Sequence, residues 1–450
     1  MDMFIELRVK HPVFSYDSFA YKVQDTTLII SWQFSIEPDL VFHPSVSIPL
    51  PENYSLDSID AFVFTLGMVE LLSYWKATCS PRIIIKAGKL TPEQLAFWRN
   101  LLIQGMGEYF YQNDIDFTRD DLVQFQVESD SLFEAKVELI NQNLKPNNLI
   151  LVGGGKDSVV VLETVKASGE SAQVMLLNPT PAALEVSRIA GFASPLKVSR
   201  TIDPLLFELN AKGYLNGHTP FSALLAFLAA LVAHLYGYNQ LVVGNERSSD
   251  EGNVLWKEQE INHQYSKSFA FELEVAAYIK QHLSDSIAYF SLLRPLYELQ
   301  IARVFSQFPH YFDAFLSCNR SKTSWCKNCP KCLFTFSALA PFIGLDRTIH
   351  FFGGDVFRNL DLIPLIDASL NETQVKPFEC VGTRLETAVA LHLCTKLYEG
   401  NLPPVLAYAN KHYVLGKESE LRLDEIMKDW GNDSALSPAL LNQLHHIAKL

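Results

Sequence analysis

The stretch Leu149-Ile150-Leu151-Val152-Gly153-Gly154-Gly155-Lys156-Asp157-Ser158 decides how the rest of the chain is read. A short β-branched run predicts a buried strand, three glycines predict a tight turn, and Ser158–Ala167 continues with helical spacing. Glycines let a backbone reach positive φ and approach an anion closely, so successive N–H groups can converge on phosphate oxygens. The start of the helix adds its positive end. The G-x-x-x-x-G-K-[ST] loop is excluded, because Ile150 stands where its first glycine should be and Asp157 follows the lysine.

Outward from this turn the chain alternates strands and helices. Gln173–Leu177, Leu196–Ser199 and Leu241–Val243 read as strands, and the apolar run after Thr219-Pro220 reads as a buried helix to about Tyr236. Thr219 is expected as its N-cap, with Pro220 in the first turn. This alternation predicts an α/β fold with a doubly wound parallel sheet. Lys145-Pro146-Asn147-Asn148 is a breaker cluster and marks a boundary. Residues 1–145 are expected as an N-terminal α+β region, 146–350 as the loop-bearing domain, and 351–450 as a mostly helical region. Helical patterns stand at Phe62–Lys76, Pro92–Gly105, Thr383–Tyr398 and Leu423–Trp430.

The loop resembles the S-G-G-x-D-S element of the ATP pyrophosphatase (PP-loop) superfamily. Gly154, Gly155, Asp157 and Ser158 match, while Gly153 replaces the usual first serine. Members of that superfamily cleave ATP to AMP and pyrophosphate while adenylating an oxygen of a second substrate. The resemblance implies that Gly153, Gly154, Gly155, Lys156, Asp157 and Ser158 bind ATP. It assigns Asp157 to Mg²⁺–pyrophosphate and Ser158 to phosphate oxygens.

Ligands of doubly wound sheets bind beyond the carboxyl ends of the strands. Asn245-Glu246-Arg247-Ser248-Ser249-Asp250-Glu251 follows the strand ending at Val243, so this polar cluster is a candidate substrate or adenosine site. His218 stands at a helix start, where acid–base chemistry and anion binding are both possible. Arg200 and Asp203 follow another strand and are weaker candidates of the same kind.

Cys318, Cys326, Cys329 and Cys332 place four thiols in fifteen residues, with two C-x-x-C steps sharing Cys329. That spacing suits a tetrahedral structural zinc site. Cys79, Cys380 and Cys394 are isolated, and simple burial is their expected role.

Composition narrows the function. The 450 residues hold 37 Lys+Arg against 50 Asp+Glu, a formal charge of −13, with 48% hydrophobic residues. A globular chain is implied. Nucleic-acid coating is disfavoured, because phosphate neutralisation needs a basic face and no run of five Lys/Arg occurs. No apolar stretch reaches the 18 residues of a spanning helix, the longest being Ala223–Ala233, and Met1–Lys10 lacks a signal-peptide core. A reduced, cytoplasmic protein with neither nucleic-acid nor membrane partner is expected. An anionic ligand would then require a local cationic exception to the surface charge.

Over nearly its whole length the chain resembles the UDP-N-acetyl-α-D-muramoyl-L-alanyl-L-glutamate epimerase (MurL) family of peptidoglycan synthesis. The residues that carry this are Leu66–Lys76 with Cys79–Pro81, Gly107–Tyr111, Gly153–Ser158, Asn216–Pro220, Gly244–Ser249 and Trp325–Cys332. The resemblance implies a UDP-muramoyl dipeptide substrate, inverted at its terminal glutamate through an ATP-derived acyl-adenylate. Beside Asp157, His218 and Glu246 are then candidates for acid and base. Arg247 or Lys156 would hold phosphate or carboxylate groups. Glu70, Lys76 and Glu108 are candidates for contacts to the large substrate. The competing readings are a PP-loop enzyme acting on tRNA or a nucleobase precursor, and a non-catalytic ATP- or zinc-binding module.

Overall fold

The computed structural model describes residues 3–130, 133, 145–413 and 417–448. Its strands are β1 (Val13–Gln24), β2 (Thr27–Ile36), β3 (Leu40–Phe42), β4 (Ser45–Pro49), β5 (Arg82–Ile85), β6 (Gln124–Val127) and β7 (Asn147–Leu151). They continue as β8 (Ser171–Leu177), β9 (Leu196–Thr201), β10 (Gln240–Val243), β11 (Val254–Trp256), β12 (Gln259–Ile261) and β13 (Ala288–Ser291). Eleven strands form one sheet in the order β13-β10-β7-β8-β9-β4-β2-β1-β5-β6, with β3 paired to β2; β11 and β12 make a separate hairpin. The half β13-β10-β7-β8-β9 is parallel throughout. An antiparallel meander, β1 to β4, forms the other half, with β5 and β6 parallel to β1. The antiparallel pair β4–β9 joins the halves through Ser45↔Thr201, Val46↔Arg200 and Ser47↔Ser199.

Side chains on a strand alternate between faces, and here the faces enter different cores. Leu149, Met175 and Leu241 pack with the N-terminal half and the apolar helix Phe221–Tyr236. Ile150, Val174 and Val242 pack with the helices Lys156–Ser168, Glu298–Phe305, Pro330–Ile343 and Arg384–Thr395. Both faces of the parallel half are therefore covered, which explains why β7 and β10 read as continuous apolar runs. The C-terminal segments from Ile363 to Ala448 are helical, including Ile363–Leu370, Pro404–His412 and Pro438–Ala448. Thr383 caps Arg384–Thr395 with a full capping box through Glu386.

One expected cap is displaced. The helix after Thr219 begins at Phe221 with Pro220 in the cap position, and the Thr219 side chain makes no cap bond. The Phe221 N–H instead donates to the Thr219 carbonyl at 2.7 Å, a tight turn that precedes the helix.

Strand order fixes where a ligand can sit. From β7 the chain moves outward to β8 and β9, then returns to β10 on the other side of β7. The connections leaving β7 and β10 therefore diverge at a topological switch point, where doubly wound sheets open a crevice.

Candidate active site

The turn Gly153–Ser158 stands at that crevice. Gly154 has φ of +89°, and a Cβ there would lie 2.5 Å from the Ala183 backbone nitrogen, so no other residue fits. Gly153 faces open space with nothing within 4 Å of a built Cβ. Glycine at this position is therefore not a steric necessity. The N–H groups of Gly153 and Gly154 both donate to Ser158 Oγ, at 3.1 and 3.3 Å. The hydroxyl thus occupies the point where two N–H groups converge, the position an anion's oxygen would take.

Below the turn lies a buried ionic group. The Lys156 ammonium contacts Asp157 Oδ1 at 2.6 Å and the Glu298 carboxylate. Burial alone would lower the Lys156 pKa, but the two carboxylates outweigh it and raise it. Burial pushes Glu298 up, only partly opposed by Lys156. For Asp157 burial also pushes upward, yet Lys156 and Lys331 win and leave it lowered. Lys156 itself does not line the crevice; it acts through Asp157.

The crevice is a cavity of about 430 Å³ lined by Gly153, Asp157, Ser158, Asn245, Lys267 and Lys331, among others. Its charged lining residues are Asp157 against Lys267, Lys322 and Lys331. Three cations facing one carboxylate form the local exception that an acidic chain needs to hold an anion.

Of the segment after β10, Asn245 lines the cavity while Glu246 and Arg247 part ways. Glu246 is buried, and among the described residues its carboxylate has no hydrogen-bond or ion-pair partner. Burial raises its pKa against the pull of Lys267 and Lys156. Arg247 departs from expectation. It pairs with Asp429 at 2.9 Å and stacks over the Tyr297 ring at 4.5 Å, outside the cavity lining. The short 3₁₀ turn Arg247–Asp250 rotates its side chain toward the C-terminal helices.

His218 belongs to a second polar group. Its Nδ1 lies 3.6 Å from Glu108 Oε2, and the same Glu108 oxygen contacts His263 Nδ1. The two imidazole centroids are 4.5 Å apart. Burial pushes His218 down to about 3, helped by the charges of His263, Lys76 and Lys267. His263 goes the other way: burial lowers it, but Cys380 and Glu108 raise it to about 9. Lys76 steadies this corner by donating to the Gly217 carbonyl at 2.9 Å, and burial brings it down to about 8. Glu70, expected as a substrate contact, forms a bidentate pair with Arg200 at 2.9 Å. Asp203 caps the helix Pro204–Ala211. These three residues are committed to joining the halves of the sheet.

Lys331 lies within the Cys329–Cys332 step, but four residues at this centre carried no sequence signal: Glu298, Lys267, His263 and Cys380. Each is alone in its local pattern, and only long-range packing brings it in. Arg294 orders part of the group, its guanidinium donating to the carbonyls of Glu246 at 2.8 Å and Lys267 at 2.6 Å while pairing with Glu272 at 2.8 Å.

The four clustered cysteines converge as expected from their spacing. Their sulfurs lie within 4.8 Å of one another, with Cys326 and Cys332 at 3.7 Å. A tetrahedron of about 2.3 Å Zn–S bonds has S···S edges of about 3.8 Å, so the donor set fits zinc. Backbone N–H groups of Asn328 and Cys332 point at Cys326 Sγ and Cys329 Sγ, both at 3.4 Å, as thiolates require. Cys318 also lines the cavity, so this knot braces the cavity wall.

Comparison with known proteins agrees with this architecture. The family model described as the MurL N-terminal domain matches residues 6–292, and the MurL C-terminal domain matches residues 314–419. A Micromonospora relative is 37% identical over 378 residues, covering 81% of this chain and 82% of its own. A Salinispora tropica relative is 36% identical over 368 residues, covering 78% of each chain. A third, from Xanthomonas oryzae pv. oryzae, is 34% identical over 334 residues, covering 72% of each. All three are named UDP-N-acetyl-alpha-D-muramoyl-L-alanyl-L-glutamate epimerase. The chain belongs to the MurL family of epimerases.

Proposed function

We propose that this protein inverts the terminal L-glutamate of UDP-N-acetyl-α-D-muramoyl-L-alanyl-L-glutamate, using ATP and releasing AMP and pyrophosphate. The observation that carries the reading is a cationic, glycine-turn crevice with a proton-handling group packed beside it, the two linked by Lys267. A glycine turn with converging N–H groups and three lysines suits phosphates, and beside it stand groups able to move a proton. The names of the relatives supply the substrate.

The chemistry explains why both halves are needed. Removing the α-proton of a free glutamate would load negative charge onto a carbon beside a carboxylate. Converting that carboxylate to an acyl-adenylate masks its charge and supplies an electron sink, so a side-chain base can take the proton. Gly153 and Gly154 N–H groups would hold phosphate oxygens, with Ser158 Oγ rotating aside. Asp157, oriented by Lys156, would hold Mg²⁺ with pyrophosphate, and the metal would screen the phosphate charges. Lys267 and Lys331 offset the remaining charge. Glu246, biased toward its protonated form by burial, suits the acid that returns a proton to Cα. His218, held neutral by burial, stands beside Glu108 and His263 as a polar contact for the glutamyl group. Zinc at Cys318, Cys326, Cys329 and Cys332 would act structurally, by stiffening the wall that carries Ser317 and Cys318. The pathway step and the absence of a membrane-spanning helix among the described residues fit a cytoplasmic enzyme of cell-wall precursor synthesis.

Purified protein incubated with ATP, Mg²⁺ and the UDP-muramoyl dipeptide in D₂O is expected to yield AMP, pyrophosphate and D-glutamyl product with deuterium at Cα. No D-glutamate and no deuterium would overturn the reading. Metal analysis of the purified chain is expected to find about one zinc per molecule. Finding none, or no loss of thermal stability in Cys329→Ser, would remove the zinc assignment.

A further inference from the structure

We propose that Cys380 is the thiolate base that removes the α-proton of the glutamyl group, within a Glu108–His263–Cys380 relay completed by Lys267. This rests on the epimerase reading above and names a residue that the reading leaves unassigned.

The geometry starts from the thiol. The Lys267 ammonium donates to Cys380 Sγ at 3.2 Å, and the His263 imidazole stands close enough to the same sulfur for each group to shift the other's ionisation. His263 is held in turn by Glu108 through Nδ1. Thiol, imidazole and carboxylate thus stand in the order by which cysteine enzymes activate their sulfur. Cys380 is half-buried as a residue, whereas Cys79 and Cys394 are buried. The relay touches the phosphate side directly, because Lys267 also lines the cavity that holds Gly153, Asp157 and Ser158.

The surroundings are built to hold this arrangement. The Asn253 side chain accepts from the His263 N–H at 2.8 Å and donates to the Pro377 carbonyl at 2.8 Å. The Lys376 N–H donates to the Asn253 carbonyl at 3.0 Å, and the Lys376 ammonium pairs with Glu251 at 2.8 Å. One asparagine therefore registers both the histidine and the irregular segment that leads to Cys380. Buried effort of this kind is unnecessary for a cysteine that merely fills space.

Charge supports the role. The groups facing the sulfur are Lys267, Lys331 and His263, with the carboxylates of Glu246 and Glu379 more weakly felt. Burial alone would raise the thiol, but the three cations hold it well below its ordinary range. Burial pushes Glu246 the opposite way. Two groups whose environments drive their ionisation in opposite directions suit a base and an acid.

The step balances. The Cα–H bond of the glutamyl adenylate breaks, the proton forms S–H on Cys380, and the electron pair enters the enolate of the activated acyl group. Glu246 then gives its proton to the opposite face of Cα and becomes a carboxylate. Proton transfer from the Cys380 thiol to Glu246, through His263 or solvent, resets both groups. Water finally releases AMP and the D-glutamyl product.

The test compares wild type with Cys380→Ala in two assays. Substrate-dependent pyrophosphate–ATP exchange reads activation, while D-glutamate formation and Cα deuterium incorporation read proton transfer. Cys380→Ala is expected to keep the exchange and to lose both proton-transfer readouts by at least about 100-fold. The retained exchange also shows that the variant folds. Epimerisation by Cys380→Ala within about tenfold of wild type, or loss of exchange together with epimerisation, overturns the assignment. So does a glutamyl adduct on Cys380 in the intact mass during turnover, which would make the sulfur a nucleophile. In wild type, Cys380 is expected to be the cysteine alkylated fastest by iodoacetamide at pH 6, and to be slowed in Lys267→Met; slow alkylation overturns the thiolate. Failure of the underlying reading looks different, because wild type itself would then show neither exchange nor D-glutamate.

Discussion

The phosphate crevice and the proton-handling group packed beside it are assembled by opposite means. The phosphate side comes from six consecutive residues, Gly153–Ser158, placed by the strand before them and the helix after them. The proton-handling side is collected from distant segments: Glu108 and His263 are 155 positions apart, Lys267 and Cys380 113 apart. The first is a local device, whose backbone N–H groups converge because glycines permit the turn. The second exists only when the β11–β12 hairpin, the segment around Lys376 and the helix start at His218 pack together. A contiguous anion cradle is portable between proteins, whereas a relay gathered from three distant segments belongs to one architecture.

Predictions can break that contrast. The largest effect is expected for Asp157→Ala, which leaves the turn in place but removes the carboxylate facing the cavity. Substrate-dependent AMP release should fall by about 100-fold or more, with a lowered melting temperature because the buried Lys156 ammonium loses one of its two carboxylates. An unaffected rate would show that the carboxylate is decorative. Next comes Glu298→Ala, which removes one of two carboxylates on the buried Lys156 ammonium. Stripping a partner from a buried charge costs about 3 kcal/mol, measurable as a lower urea midpoint. A change under about 0.5 kcal/mol would mean that Asp157 alone satisfies the lysine.

The smallest effect tests the proton-handling group by pH. His218 is pushed down to about 3 from 6.5, so the unfolded chain binds its proton between those values while the folded one does not. Its contribution is therefore full above about pH 6.5 and is lost as pH falls toward 3. Wild type should lose about 1–2 kcal/mol more stability than His218→Gln on going from pH 7 to pH 5. Equal losses in both proteins would show that His218 is not held neutral by burial.

Legibility followed the same division. The strand–turn–helix at Gly153 and the cysteine knot were readable because their residues are close in sequence and their spacing has a geometric meaning. Arg247 misled, since adjacency to Glu246 says nothing about direction; the 3₁₀ turn sends its guanidinium to Asp429. Glu70 and Arg200 also read as site residues, yet they spend their charges on each other at the junction of the two half-sheets. Cys380 looked isolated, and in sequence it is.

By itself the sequence determined the periodicities, the glycine turn, the zinc-type spacing and the family, all of which depend on neighbours a few residues apart or on whole-chain similarity. Tertiary structure alone decided the merging of strands through β4–β9, the burial that lowers His218 and raises Glu246, and the meeting of Lys267, His263 and Cys380. The reason is physical. Local spacing is written in backbone geometry, but the ionisation of a side chain is set by what surrounds it in space, and those surroundings are gathered from across the chain.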